Sequence, residues 1–222
     1  MRSVSPVRAL LFDLDGVLID SEPVWERVRR DFVEKYHRTW SAEVQRSMMG
    51  VRTTVWSATL SELLGGGLAP ESVADAVIGE MAATYRSALP LIGGATEVVR
   101  SLSGQYPMGL ASGSPRVLID LVLELAGLTD CFRCVLSTDE ISRGKPMPDP
   151  YLELARRLDF EPADCVAIED STNGLLSALA AGTRVIALPR VDRMPGAEVL
   201  ERAAVVLGDI SELTPQLLGA IR

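Results

Sequence analysis

Two carboxylates two positions apart, Asp13 and Asp15, close the run Leu10-Leu11-Phe12-Asp13-Leu14-Asp15-Gly16-Val17. The apolar residues Val7 to Phe12 before them read as a strand, on which residues i and i+2 point the same way. Two anions held that close repel, and burial costs each of them more. A cation between them, or a proton on one of them, relieves the conflict. Both situations suit phosphoryl transfer: one Asp attacks phosphorus, and the other gives a proton to the leaving oxygen and later takes one from water. A solvated acidic turn at the end of a strand is the simpler alternative.

The rest of the chain bears on that choice. Short apolar runs at Met108–Ala111, Phe132–Leu136, Cys165–Ile168 and Val185–Leu188 each read as a strand, with Ala204–Leu207 as a last one. Helices are predicted between them: 94–103, 115–126 with Pro115 in the first turn and Gly127 as cap, 149–158 with Asp149 as N-cap, 171–181, and 210–221. Short apolar strands alternating with helices indicate an α/β chain whose parallel sheet is covered on both faces. Residues 19–90 differ. They show helical patterns at 23–36, 42–48, 53–64 and 70–88 and no strand, with Gly65-Gly66-Gly67 as a turn that lacks the Lys-Ser/Thr of a P-loop.

Polar groups gather where the apolar strands end. Ser112, Gly113 and Ser114 follow the second strand, Lys145 lies in the loop after the third, and Glu169 and Asp170 follow the fourth. In an open parallel sheet those carboxyl ends border one crevice. Four acids there call for a hard cation, and magnesium with oxygen ligands fits. Ser112 and the N–H groups after it can hold phosphate oxygens. Of 22 basic residues only Lys35 and Lys145 are lysine, so Lys145 marks a place for a compact ammonium rather than a planar fork. Each element has a simpler reading, as a helix cap or a surface lysine, but all four falling at strand ends favours the functional one.

Composition narrows the partners. The chain has 222 residues and a net charge of −8, which argues against nucleic acid or an anionic membrane and leaves a small phosphorylated metabolite open. No apolar run is long enough to cross a bilayer and no signal-peptide pattern opens the chain, so a cytoplasmic protein is expected. Nothing demands more than a monomer. Three cysteines make no disulfide framework, and Cys131 and Cys134 lack the partners of a zinc site. The one histidine, His37, sits in a charged stretch and is expected at a solvated helix end.

At this point the chain resembles the haloacid dehalogenase superfamily, with Asp13-x-Asp15-Gly16 as its first motif, Ser112 in Leu110-Ala111-Ser112-Gly113-Ser114 as its second, Lys145 as its third and Glu169-Asp170 as its fourth. The extended first motif, Asp13 to Pro23, resembles the β-phosphoglucomutase-like and sugar-phosphatase branch. The resemblance implies a Rossmann-like three-layer core, residues 1–18 and 91–222, with a small helical cap, residues 19–90, inserted after the first strand. It implies Asp13 as nucleophile and magnesium ligand, and Asp15 as general acid/base lending its carbonyl to the metal. Asp170 and Glu169 would be further ligands, and Ser112 and Lys145 would bind the transferring phosphoryl group. Asp15 speaks against a dehalogenase, which needs no acid there, and against phosphonate cleavage through a cap lysine, for which Lys35 is the only candidate.

The cap is expected to exclude water and to contact the leaving group. Glu22 and Trp25 stand just past the first linker, and Met49-Gly50-Val51-Arg52-Thr53 resembles the family's specificity loop. Arg52 could bind a substrate hydroxyl or a distal phosphate, or merely start a helix. Trp25 could stack on a sugar or pack the cap. The sugar-mutase pattern has a His where this chain has Trp25, an Arg where it has Thr53, and a second Lys where it has Pro115-Arg116. Hydrolysis of a sugar phosphate or similar phosphomonoester is therefore expected, with a β-phosphoglucomutase-type mutase as the alternative and a non-catalytic phosphate-binding module behind it.

Overall fold

The computed structural model describes residues 6–48 and 51–221. In chain order the elements are β1 (Ala9–Phe12), α1 (Glu22–Lys35), α2 (Ala42–Met48), α3 (Thr53–Leu63), α4 (Pro70–Ser87), α5 (Ala95–Ser103), β2 (Met108–Ser112) and α6 (Arg116–Ala126). There follow β3 (Cys134–Ser137), α7 (Asp149–Leu158), β4 (Cys165–Glu169), α8 (Thr172–Ala180), β5 (Arg184–Ala187), α9 (Ala197–Leu200), β6 (Val205–Val206) and α10 (Pro215–Ala220). The six strands form one all-parallel sheet in the order β3-β2-β1-β4-β5-β6. The chain builds outward from β1 in one direction, then returns to build in the other, so the switch point lies beside β1.

The strands are apolar in their middles, yet they serve two different cores. Leu10 and Phe12 join Met108, Leu110, Val166, Ile168 and Ile186 in one cluster. Their neighbours Ala9 and Leu11 join Ala111, Leu136, Ala167 and Val185 in another, covered by α7, α8 and α9. This is the period-two alternation of a strand buried on both faces, invisible in the hydropathy because both faces are dry. The result is the three-layer α/β core expected.

Helices α1 to α4 pack on one another between β1 and α5, and α4 also leans on α6. Trp25 and Trp56 meet at their centre with ring centroids 5.8 Å apart. Asp20, at the start of this segment, is held by Arg190 and Arg193 from the loop after β5, each at 2.9 Å. No described helix is long and apolar enough to cross a membrane.

Some boundaries depart from expectation. The stretch read as one helix over 210–221 is a short 3-10 turn, Ile210–Glu212, followed by α10. Asp209 and Glu212 close a capping box on the turn, and Thr214-Pro215 starts a new helix with Thr214 as its own cap, so the chain restarts rather than continues. Helix α9 was not foreseen, because four residues show no period. Asp149 is not an N-cap: it is the first helical residue and pairs with Arg143 at 3.0 Å. His37 does stand exposed just past α1, with a positive φ of 54°.

Candidate active site

The sheet places the acids before any side chain is considered. The Asp13 N–H donates to the Ile168 carbonyl at 3.0 Å, so the ladder between β1 and β4 runs one step past Phe12. That sets Asp13 level with the end of β4, where Glu169 and Asp170 follow. Oxygens of Asp13, Glu169 and Asp170 lie within 4.8 Å of one another, and all three residues are buried. Two glycines make room. A Cβ on Gly16, whose φ is +82°, would collide with the Asp170 carboxylate, and one on Gly174 would collide with that of Glu169. Ser171 caps α8 through the Gly174 N–H and so brings that helix start against Glu169.

Lys145 reaches into this group from the loop after β3. Its Nζ lies 2.8 Å from Asp13 Oδ1 and 2.5 Å from Glu169 Oε1, and it donates to the Ala111 carbonyl at 3.1 Å. Tyr151, wholly buried on α7, donates its hydroxyl to Glu169 Oε1 at 2.5 Å. One ammonium thus faces three buried carboxylates. Burial, then the charge of Glu169, pushes the Asp13 carboxyl well above the usual range despite Lys145. The same two causes push Asp170 up to about 7. Burial alone would lower the Lys145 ammonium, but Asp13 and Glu169 outweigh it and hold the proton on. Excess negative charge and oxygen-only donors together fit a hard divalent cation.

Asp15 is held differently. Its carboxylate receives hydroxyls from Ser21 at 2.5 Å, Ser112 at 2.6 Å and Ser114 at 2.9 Å. A hydroxyl can donate or accept by rotation, so this cradle tolerates Asp15 with or without a proton, as no ring of ammonium or amide donors would. Ser112 is fully buried behind Asp15, its oxygen also accepting from the Ser114 N–H at 2.9 Å. Its hydroxyl donates to Asp15, while Gly113 and Ser114 line the cavity beside it.

That cavity, about 320 Å³, is of the size that takes a small ligand. Its floor is the sheet end, with Asp13, Asp15, Lys145 and Asp170. Its opposite wall is helical: Glu22, Trp25 and Arg29 from α1 and Trp56 from α3. Glu22 lies on this wall with its carboxylate bound by Gln45 at 2.6 Å. Trp25 both packs and lines, being 5% exposed. Arg52 borders the cavity, but its guanidinium is committed to the core. It donates to the carbonyls of Ile141 at 2.7 Å and Ser142 at 2.9 Å, while Thr53 donates its hydroxyl to Asp139 at 2.5 Å. Neither a bare helix start nor a free substrate ligand, it ties the helical segment to the loop after β3. Gly50 lies outside the described residues.

Ser21, Arg29, Trp56 and Tyr151 escaped the sequence reading. Glu22, Trp25 and Arg29 recur at i, i+3 and i+7 and so share one face of α1. That spacing was an available signal. Tyr151 carried none, because only the packing of α7 across β1, β2 and β3 brings its hydroxyl to Glu169.

Comparison with known proteins agrees with this geometry. The model of the haloacid dehalogenase-like hydrolases matches residues 7–182. Hexitol phosphatase B of Escherichia coli is 31% identical over 226 residues, covering 99% of this chain and all of that protein. The fructose-1-phosphate phosphatase of Escherichia coli is 30% identical over 78% of this chain and 92% of its own. A hydrolase of the same family from Deinococcus radiodurans, solved with bound phosphate and sodium, is 32% identical with a TM-score of 0.70, covering 98% of this chain and 99% of that one. With its four motifs gathered at one end of a parallel sheet and its whole length matched, the chain belongs to the haloacid dehalogenase-like hydrolases.

Proposed function

We propose that the protein is a magnesium-dependent phosphatase of small phosphomonoesters, sugar phosphates foremost, acting through an aspartyl-phosphate. The observation that carries this reading is the pairing in one cavity of a buried acid cluster that has one ammonium for three carboxylates with a second aspartate cradled by three hydroxyls. Relatives named for phosphatase activity on hexitol and fructose phosphates support it.

Asp13, Glu169, Asp170 and the Asp15 carbonyl would hold the magnesium ion, which when bound offsets the charge of the acids and of the phosphoryl group. An Asp13 carboxylate oxygen attacks phosphorus as the bond to the ester oxygen breaks. Asp15, entering protonated, gives its proton to that leaving oxygen. In the second half Asp15 takes a proton from water, the water oxygen bonds to phosphorus, and the bond to Asp13 breaks, releasing inorganic phosphate. Lys145 shields the attacking carboxylate from Glu169 and stabilises charge on the phosphoryl oxygens. The Ser21, Ser112 and Ser114 hydroxyls rotate as Asp15 changes state. Residues 19–90 act as the cap that shuts out bulk water, with 1–18 and 91–222 as core, in a protein that works as a cytoplasmic monomer.

A mutase would run the same first half and replace water with a sugar hydroxyl. Among the described residues nothing in the cavity favours that over water, and the residues at 25, 53 and 115–116 depart from the mutase pattern. The test is phosphate release from hexose, pentose, polyol and nucleotide monophosphates, with magnesium and with chelator, alongside formation of glucose 6-phosphate from β-glucose 1-phosphate. Magnesium-dependent release is expected; isomer formation without release would overturn the reading.

A further inference from the structure

Arg29 is the least accounted-for charge near the cavity. It is 4% exposed, with its guanidinium 4.5 Å from the Trp25 ring centroid and 5.2 Å from that of Trp56. Among the described residues no carboxylate lies within ion-pair distance of it. Its Nε finds no acceptor, and its one hydrogen bond, to the Met48 carbonyl, is long at 3.5 Å. A buried cation without a carboxylate is costly, and the two indoles offset only part of that cost. Leucine would fill the space between two indoles without that cost. Burial, offset by Glu22 and Asp15, lowers the group only to about 10, so it stays charged at neutral pH.

We propose that Arg29, with Glu22 on the same face of α1, forms a specificity subsite that binds the neutral hydroxyls of a polyol leaving group, in preference to a second anionic group. This rests on the phosphatase reading of the sheet end. The choice of ligand follows from the charges. A second phosphate or carboxylate would gain Arg29 but meet Glu22 on the same wall and Asp15 on the floor. A hydroxyl both donates and accepts, so it can accept from Arg29 and donate to Glu22 at once. Glu22 has one oxygen bound by Gln45, which holds the carboxylate in place for that bond. The Trp25 and Trp56 rings supply apolar faces for the carbon chain of a polyol, which has one polar edge and one C–H face. The neutral ligand leaves Arg29 and Glu22 satisfied without placing a second anion between Glu22 and Asp15.

The experiment measures kcat and KM of the full-length protein with magnesium on three esters: sorbitol 6-phosphate, ethyl phosphate and fructose 1,6-bisphosphate. Wild type, Arg29→Met, Arg29→Lys and Glu22→Gln are compared, each checked by thermal melting. Expected is a fall of about tenfold or more in the sorbitol 6-phosphate to ethyl phosphate ratio of kcat/KM in Arg29→Met, carried by KM and partly restored in Arg29→Lys. Glu22→Gln should lower the same ratio less. Should Arg29→Met fail to fold, the Lys and Gln variants carry the test. An unchanged ratio overturns the proposal, because a merely structural residue weakens both esters alike. Preference for the bisphosphate that Arg29→Lys or Arg29→Met abolishes also overturns it, in favour of an anion site. If wild type hydrolyses no ester, the phosphatase reading falls, and quenching of Trp25 and Trp56 fluorescence by sorbitol 6-phosphate decides the subsite by itself: quenching that depends on Arg29 sustains it, and quenching indifferent to Arg29 ends it.

Discussion

The cavity has two walls built on opposite principles. At the sheet end, charges hold one another: Lys145 touches two carboxylates, Tyr151 donates to the same Glu169 oxygen that Lys145 meets, and three hydroxyls close on Asp15. On the helical side, Arg29 lies between two indoles without a carboxylate, and Arg52 is spent on backbone carbonyls. The first wall comes from strand ends, whose positions are locked by the ladder. The second comes from one face of α1 and from α3, which hold their places by helix packing rather than by a ladder. The difference teaches a division of labour. In the proposed phosphatase, the groups that would act on phosphorus stand on the sheet, and those that would sort leaving groups stand on helices.

Each wall can be broken separately. The largest effect is expected from Asp13→Asn, which removes the attacking oxygen's charge. Turnover should fall by on the order of 10⁴-fold or more with the fold intact by circular dichroism, and surviving turnover would mean another nucleophile. Asp15→Asn should cost roughly 10²- to 10⁴-fold on alkyl phosphates, and markedly less on an aryl phosphate whose phenoxide leaves without a proton. Equal losses on both would remove Asp15 from the role of acid.

Lys145→Met should lower kcat by about 10²- to 10³-fold and also destabilise. It strands Asp13 and Glu169 without a cation, a cost of roughly 3–5 kcal/mol that eases where the carboxylates can protonate. Melting at pH 8 should therefore suffer more than melting at pH 5.

Metal removal has a signed pH dependence. The Asp170 carboxyl titrates near 7 in the folded protein, above its unfolded value of about 4. Between those values the native state binds more protons than the unfolded chain, so metal-free stability from this group falls as pH rises. Chelator should depress the melting temperature more at pH 8 than at pH 6, and the reverse order would remove Asp170 from the metal cluster. The smallest effect belongs to the junction of the two walls. Arg52→Ala or Asp139→Ala should raise KM by roughly fivefold, alike for polyol and short esters, in contrast to the selective loss expected at Arg29.

The sheet wall was legible in the chain because its signals are local. Each acid follows an apolar run, and a parallel sheet brings the ends of such runs to one edge whatever the details. Lys145 stood out because nearly every other cation is arginine. Ser112 was legible too, but only the fold shows its hydroxyl buried against Asp15. The helical wall was half legible. The i, i+3, i+7 spacing of Glu22, Trp25 and Arg29 is in the chain, but nothing in it says which face of α1 looks into a cavity. Arg52 was read as facing either substrate or solvent, and its partners are carbonyls 89 and 90 residues away.

The amino-acid order thus determined the alternation of strands and helices, the helical insertion, and the residue types collected at the strand ends, because hydrophobic period and strand-end placement act over a few residues. Tertiary structure alone decided which of those groups touch. It set Tyr151 on Glu169, three serines on Asp15, and Arg29 between two indoles, because such contacts are made by elements far apart in the chain whose relative placement depends on how whole faces pack.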